Sequence, residues 1–418
     1  MFTITTDKKQ PSSVHHLNRG VDLYIHIPFC KSKCDFCFYI SVTGTSEEER
    51  FCYLKALERE ISARWSAYEG KQVVVNSLYI GGGTPSILSL KQWEVLVMIL
   101  TRFWDLRTIP EVTVECNPSS TTQEKLGFFK EIGVNRLSFG VQNVDDSVLA
   151  AMGREGTKDA LPGLLESTRS AGINNINCDI LFGLPGENTA SVVQSVDVLV
   201  ELSVPHISVY PFTLQAKAGF FMRMVCKNAL LLPAYLRIAH YQEAINRLLE
   251  WEYLRIHTAH FGISYRYECI QHRNYWDGGE ILGFGVSAQS FVDGCYLRNT
   301  EDLNGYVKNN DNILSISLSK KDQIRRWVFM GLTKKLRFHY EAMVDRFGLD
   351  SLTVVKEGLE RMDREGMLSK KQNIVQLTDK GMEHSHLIPI LYFRFENQNY
   401  LRYALRIPEA QLSKFPET

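Results

Sequence analysis

The sequence predicts an α/β protein: a partial (β/α)6 TIM-like barrel followed by a C-terminal, mostly helical, winged-helix-like domain. Three observations predict it. Between residues 21 and 211, short β-rich runs alternate with amphipathic helical stretches, the pattern of a parallel sheet. The residues suited to chemistry cluster just after those runs, as they do in barrels whose sites sit at the strand C-termini. Past Ser319 the text turns helical and then closes on short strands around a Lys-rich turn, Met367-Leu-Ser-Lys-Lys-Gln-Asn-Ile374.

Taken in order, residues 23–27, 77–80, 111–115, 136–140, 175–180 and 206–210 read as strands, being rich in β-branched and aromatic residues. Between them, 47–68, 90–103, 123–131, 158–171 and 189–202 read as helices. No glycine fingerprint of a dinucleotide-binding sheet follows the first strand, which favours a barrel. The expected organisation is an N-terminal arm (1–22), the barrel (23–225), an extension forming the substrate rim (226–315) and the C-terminal domain (316–418). The extension carries Trp251, His257, His260, His272, Tyr275 and Trp276. A winged helix can bind DNA, but this chain is electroneutral, so a structural or lid role is expected of it.

At 418 residues the chain has room for two to three domains of roughly 150 residues. Lys+Arg and Asp+Glu both total 47, so no global basic field exists to hold a polyanion, and nucleic acid is not an expected partner. No apolar run approaches the ~20 residues that cross a bilayer. The opening Met1-Phe-Thr-Ile-Thr-Thr-Asp-Lys-Lys places charges where an export signal needs an apolar core, so a cytoplasmic location is expected. Nine cysteines, an odd number, argue against a disulfide framework. Three of them fall between residues 30 and 37, and the six scattered ones read as small buried hydrophobes.

The strongest chemical signal is His26-Ile-Pro-Phe-Cys30-Lys-Ser-Lys-Cys34-Asp-Phe-Cys37-Phe-Tyr39. A CxxxCxxC loop sets three thiolates around one centre and leaves the fourth position of a cubane cluster open. A structural zinc site normally closes with a fourth Cys or His, and position 39 is Tyr. On spacing alone, cluster and zinc both stand.

Five further motifs in fixed order accompany this loop: Gly81-Gly-Gly-Thr-Pro-Ser86, Glu115-Cys-Asn-Pro118, Arg136-Leu-Ser-Phe-Gly-Val-Gln142, Asp179-Ile-Leu-Phe-Gly-Leu-Pro185 and Leu282-Gly-Phe-Gly-Val-Ser-Ala288. With them, residues 21–385 resemble the radical S-adenosylmethionine (SAM) enzymes, and more narrowly the oxygen-independent coproporphyrinogen III dehydrogenase superfamily. The resemblance implies a radical SAM barrel with one 4Fe–4S cluster on Cys30, Cys34 and Cys37. It implies two SAM molecules, with Tyr24, Gly82 and Glu115 at the cluster-bound one and Gly83, Thr84, Gln142, Arg154, Asp179 and Thr213 at the second. Gln271 and Gln289 align with the rim, where the family carries an aliphatic residue in place of Gln289. A flavodoxin- or ferredoxin-type electron donor is implied as a partner.

The residue chemistry is compatible with these roles. Glycines at 81–83 let backbone approach a ligand, although a glycine run alone is equally a turn. An ionised Glu115 only accepts, so it suits a ribose or an ammonium, or else a rim salt bridge. Arg154 offers a charged fork to a carboxylate, or else is a solvated charge.

Among the branches of the superfamily, the expected function is a class C radical SAM methyltransferase acting on an sp² carbon of an aromatic substrate, with carbon 8 of the menaquinone ring as the leading substrate. The intact two-SAM pocket, the lack of a Tyr-Pro-Thr-type arm and the resemblance of Cys37-Phe-Tyr39 to biosynthetic methylases support it. The alternatives are the dehydrogenase itself, a heme-degrading methylase, and a heme chaperone, whose His-Asn-x-x-Tyr-Trp motif His272-Arg-Asn-Tyr-Trp276 resembles with one residue fewer. The apolar segment 220–232 is expected to admit an isoprenoid tail or to dock peripherally on the inner membrane surface, or else to be a core helix. No base is assigned; Tyr39, His257 and His260 fall in suitable regions.

Overall fold

The computed structural model describes residues 20–68, 73–213, 232–309, 313–383, 385 and 388–404. Six parallel strands form its centre: β1 (Val21–Ile27), β2 (Val75–Gly82), β3 (Glu111–Cys116), β4 (Arg136–Gln142), β5 (Asn175–Phe182) and β6 (His206–Pro211), paired in that order. The partial (β/α)6 barrel expected from the sequence is what the chain forms. Its helices start where side chains satisfy the free N–H groups of the first turn: Ser46, Ser89 and Asn188 each make a reciprocal capping box.

Strand periodicity sorts the two faces of the sheet. Leu23, Ile25 and Ile27 of β1, Leu78 and Ile80 of β2, and Val112 and Val114 of β3 join one core with Leu57, Trp93 and Leu96 of the covering helices. The intervening residues, among them Tyr24, Tyr79, Glu115, Ser138, Asn177, Asp179 and Tyr210, therefore share the opposite face, toward the barrel interior. That face is polar and hydrogen-bonded: Asn177 donates to Asp179 at 2.8 Å and Ser208 to Asn177 at 2.9 Å.

The sheet does not close on itself. Beyond β1 it continues through β9 (Glu280–Phe284), which is parallel to β1, and then through the antiparallel β10 (Gln289–Val292), β11 (Cys295–Arg298) and β12 (Leu314–Ser317). Beyond β6 it adds β8 (His260–Gly262) and β7 (Leu254–His257) as an antiparallel hairpin. The helix Ile270–Trp276 packs on β1 and β2, its Gln271 amide donating to the Leu23 carbonyl at 2.9 Å and Asn274 to Asp22 at 3.2 Å.

The C-terminal domain is a winged helix in outline. Helices Lys320–Thr333, Tyr340–Phe347 and Ser351–Arg364 surround the small sheet β13-β15-β14, formed by Arg337–His339, Ile374–Leu377 and Leu368–Lys371. Its core, built on Val328, Met343, Leu359 and Val375, also takes in Phe291, Tyr296 and Ile316 from the β10–β12 edge. Toward the opposite edge, Thr258 of the β7–β8 hairpin donates its N–H to the Lys334 carbonyl at 3.0 Å. The domain thus touches both flanks of the open sheet.

Two expectations change, and a third falls outside the described residues. Trp251 is not at the rim: it stands exposed, its indole N–H donating to Asp197 at 3.0 Å outside the barrel. Of the scattered cysteines, 116, 178, 269 and 295 are buried but Cys52 is exposed, because it sits on the solvent side of its helix. Nearly all of segment 220–232, and Cys226 with it, lies outside the described residues. Among the described residues, no helix is long and apolar enough to cross a membrane.

Candidate active site

The cysteine loop leaves β1 and is stitched to its surroundings by backbone. Cys30 N–H donates to the Val42 carbonyl at 2.9 Å, Asp35 N–H to Met152 at 3.0 Å and Cys37 N–H to Cys34 at 3.0 Å. Cys30, Cys34 and Cys37 are half-buried. Burial pushes the Cys37 thiol up, Cys30 and Cys34 add to that by repulsion, and Lys33 opposes it. Among the described residues, no three Cys, His, Asp or Glu side chains converge on one ion position.

The glycines at the end of β2 make this loop possible. A Cβ on Gly83 would stand 2.7 Å from the Phe29 carbonyl and 3.0 Å from Cys30 Sγ, and one on Gly82, at φ 121°, would strike the His26 ring at 2.7 Å. The run serves close packing against the cysteine loop, a structural demand beyond the ligand approach and the turn that the sequence suggests. Thr84 N–H donates to the Phe29 carbonyl at 2.8 Å, and its hydroxyl lies 3.4 Å from Cys30 Sγ.

Glu115 faces the same space. It accepts the Gly82 N–H at 2.9 Å and the Tyr79 hydroxyl at 2.8 Å. Burial raises its pKa to about 7, against the pull of those two hydrogen bonds. Arg154 donates to Cys34 Sγ at 3.6 Å and to the Gly140 carbonyl, so it is a partner of the cysteine loop and not a solvated charge. Gln142 ends β4 at φ 74°, and Asp179 accepts from Asn177 and from Ser138, the latter at 3.2 Å, its pKa raised by burial. Tyr24 contacts His26 Nδ1 through its hydroxyl at 3.0 Å.

The remaining expected residues stand apart from this group. Gln271 is buried with its amide committed to Leu23, which leaves it a structural anchor in the helix Ile270–Trp276. Gln289 lies on β10, its backbone crowding Gly283, two strands beyond Tyr24. Thr213 is exposed and donates to its own turn at Pro211, 3.3 Å away.

The sequence did not show how many rings meet inside the barrel. His260 lies within 5.2 Å of His272, 5.4 Å of His206 and 6.1 Å of His257, centroid to centroid, and 5.5 Å from Trp276. A ladder of rings runs from Tyr24 to Tyr79 (6.2 Å), to His272 (5.9 Å) and to Trp276 (5.2 Å). Burial lowers the pKa of His272 to about 3 and takes His206 and His260 well below the ordinary histidine value, with Arg136 pressing the same way. Arg136 itself is buried, one guanidinium nitrogen 3.0 Å from His206 Nδ1. His257 contacts Glu268 at 2.5 Å. The four histidines come from β6, β7, β8 and the helix Ile270–Trp276; His257, His260 and His272 stand among the expected rim residues, whereas His206 carries no such signal.

Comparison with known proteins fixes the family. The model of the radical SAM superfamily matches residues 24–199, and that of the HemN C-terminal domain matches residues 318–384. The chain is 30% identical over 371 residues to the heme chaperone HemW of Lactococcus lactis, covering 88% of this chain and 96% of that one. The chain belongs to the radical SAM superfamily. Within it, the chain is also 30% identical over 383 residues to the oxygen-independent coproporphyrinogen III oxidase of Salmonella typhimurium, covering 87% of this chain and 83% of that one. The structure of coproporphyrinogen III oxidase (HemN) from Escherichia coli superposes with a TM-score of 0.80 at 25% identity, over 91% of this chain and 92% of that one.

Membership of this radical SAM family implies one 4Fe–4S cluster and SAM. The residues fit it: three thiols stand on one loop, and the bare backbone of Gly83 lets that loop pack against the end of β2. The relatives overturn the expected class C methyltransferase and its menaquinone substrate, since they are heme chaperones and coproporphyrinogen oxidases. A pocket shared across the superfamily could not discriminate between branches, and the absence of an arm motif was too weak to do so.

Proposed function

We propose that this radical SAM protein oxidises a tetrapyrrole at the mouth of its barrel. The observation that carries the reading is the ring ladder Tyr24–Tyr79–His272–Trp276, which begins next to the cysteine loop and offers a flat macrocycle a wall of π-faces. When bound, the cluster and SAM would supply a 5′-deoxyadenosyl radical that takes hydrogen from a C–H bond, and a one-electron acceptor would take the electron left on the substrate. The protein's part is orientation. Glu115, with Tyr79 and Gly82 fixing its two oxygens, presents a carboxylate to the cationic cofactor, and Arg154 spans from Cys34 to the end of β4. A one-electron donor of flavodoxin or ferredoxin type is part of the proposal; a second SAM is not.

Carriage of heme without turnover is the second reading, favoured by one observation. Burial keeps His206, His260 and His272 neutral, the form in which imidazole binds iron. The deciding experiment incubates reconstituted, dithionite-reduced protein anaerobically with SAM and either coproporphyrinogen III or hemin. Release of 5′-deoxyadenosine in step with porphyrinogen consumption supports oxidation. Stoichiometric hemin binding without 5′-deoxyadenosine supports carriage, and neither result sinks both.

A further inference from the structure

A run of hydrogen bonds inside the barrel has a fixed direction and ends on a hydroxyl at the mouth. Asn177 sets the direction, because the two halves of its amide have different partners. Its nitrogen donates to Asp179 Oδ1 and to Ser138 Oγ, each at 2.8 Å, and Ser138 gives its own proton to Asp179 Oδ2 at 3.2 Å. The Asn177 carbonyl oxygen therefore faces Ser208 and takes that hydroxyl's single proton at 2.9 Å. With its proton committed, Ser208 Oγ can only accept from His260 Nδ1, 3.2 Å away.

His260 is buried and held neutral, so a proton on Nδ1 leaves Nε2 as a lone pair. The Tyr210 hydroxyl, 3.3 Å from Nε2, is its donor. Turning that proton elsewhere would strand a buried acceptor. Tyr210 is also the end of the run that a ligand meets: it is half-buried at the C-terminal end of β6, whereas Ser138, Asn177, Ser208 and His260 are buried. Its ring meets that of His260 edge-on at 5.6 Å, and His260 lies 5.2 Å from His272 and 5.5 Å from Trp276 of the ring ladder.

With its proton turned inward, the hydroxyl shows the mouth only lone pairs. Such an oxygen attracts N–H groups and repels other acceptors. A porphyrinogen carries an N–H on each pyrrole, and a metalloporphyrin carries none. We propose that Tyr210 is a specificity-determining residue whose oxygen accepts a pyrrole N–H of a reduced tetrapyrrole, with His260 and Ser208 as positioning residues that hold its proton inward. The assignment rests on the tetrapyrrole reading and adds to it which form of the ring the barrel selects.

The test measures anaerobic affinities for coproporphyrinogen III, by equilibrium dialysis, and for nickel(II) coproporphyrin III, by absorbance titration. The two share their carboxylates and differ in their N–H groups, and square-planar nickel makes little demand for an axial ligand. Tyr210→Phe keeps the ring and loses the oxygen. Its coproporphyrinogen III affinity falls about tenfold, the loss expected for one hydrogen bond, while the nickel complex and SAM stay within about twofold. Ser208→Ala removes the acceptor that keeps the His260 proton on Nδ1, so it lowers the same preference with Tyr210 still in place. Unchanged coproporphyrinogen binding by Tyr210→Phe, a weakening shared with the nickel complex or with SAM, or a wild-type preference in Ser208→Ala overturns the assignment while leaving the tetrapyrrole reading in place. If the wild type binds neither tetrapyrrole, that reading falls and the assignment falls with it.

Discussion

Glu115 locks the end of β2 to the barrel interior, one oxygen accepting the Gly82 N–H at 2.9 Å and the other the Tyr79 hydroxyl at 2.8 Å. The carboxylate is thus positioned before any ligand arrives, but burial holds its pKa at about 7. A cationic ligand favours the ionised form, so SAM affinity should rise as pH climbs through about 7. Glu115→Gln keeps the shape and loses the charge. Its SAM affinity should drop by about tenfold or more and its pH profile should flatten, as read by equilibrium dialysis between about pH 6 and about pH 8. A variant with wild-type affinity and slope would show that Glu115 does not face the cofactor.

The same shift has a stability side of opposite sign. Because the folded pKa lies above the ordinary carboxylate value of 4.5, the folded state holds the proton more tightly, and stability falls as pH rises from about 4.5 to about 7. The full shift corresponds to ~3 kcal/mol at 1.36 kcal/mol per pKa unit, an upper bound for a partly accessible side chain. Urea midpoints of the apo protein at both ends of that range, wild type against Glu115→Gln, should differ in slope in that direction.

Arg154 donates to Cys34 Sγ at 3.6 Å and anchors itself on the Gly140 carbonyl. A cationic donor on a ligating sulfur stabilises the more negative, reduced state of a cluster. Arg154→Ala should therefore shift the midpoint potential to more negative values with iron content unchanged. An EPR-monitored redox titration checks it; an unmoved potential would remove Arg154 from the cluster's surroundings.

Gly83 leaves room that the cysteine loop occupies. In Gly83→Ala the new methyl would press on the Phe29 carbonyl at 2.7 Å and Cys30 Sγ at 3.0 Å, both close to backbone that cannot swing away. Iron and sulfide per chain after reconstitution should fall by about half or more, whereas Gly163→Ala, with open space around it, should match the wild type. Equal loading of the two variants would contradict the packing role.

The barrel and the cysteine loop were legible because local signals and tertiary structure agree. All six strands fall where β-rich runs stand, and helix Gln123–Glu131 starts and stops where the sequence indicates. Helix 158–171 was misjudged at its start: the described helix is Leu161–Ser170, beginning next to Pro162, which suits a first turn. Gln271 and Trp251 were legible as polar or aromatic residues of the extension but not as an anchor and an outward residue, since β7–β12 attach to opposite flanks of the sheet and no periodicity encodes that. The histidine cluster was legible in part: His257, His260 and His272 stand among the expected rim residues, but their meeting with His206 follows only from sheet topology.

Buried imidazoles, His272 in that cluster and His26 outside it, oppose folding at low pH. His272 is lowered to about 3 and His26 to about 4, burial being the first cause of each. Their folded pKa values lie below the ordinary histidine value of 6.5, so unfolded chains gain protons first, and the stability these residues contribute above pH 6.5 is lost as pH falls toward about 4. Protonating Glu115 and Asp22, whose pKa is likewise raised to about 7 by burial, works in the opposite direction over the same interval. The net curve is therefore not diagnostic, but a difference is. His272→Gln removes one titrating group and neither carboxylate, so its urea midpoint should fall less than that of the wild type between about pH 7 and about pH 5. A parallel fall in both proteins would mean that His272 takes up its proton without unfolding, and that the ring ladder admits charge that its burial argues against.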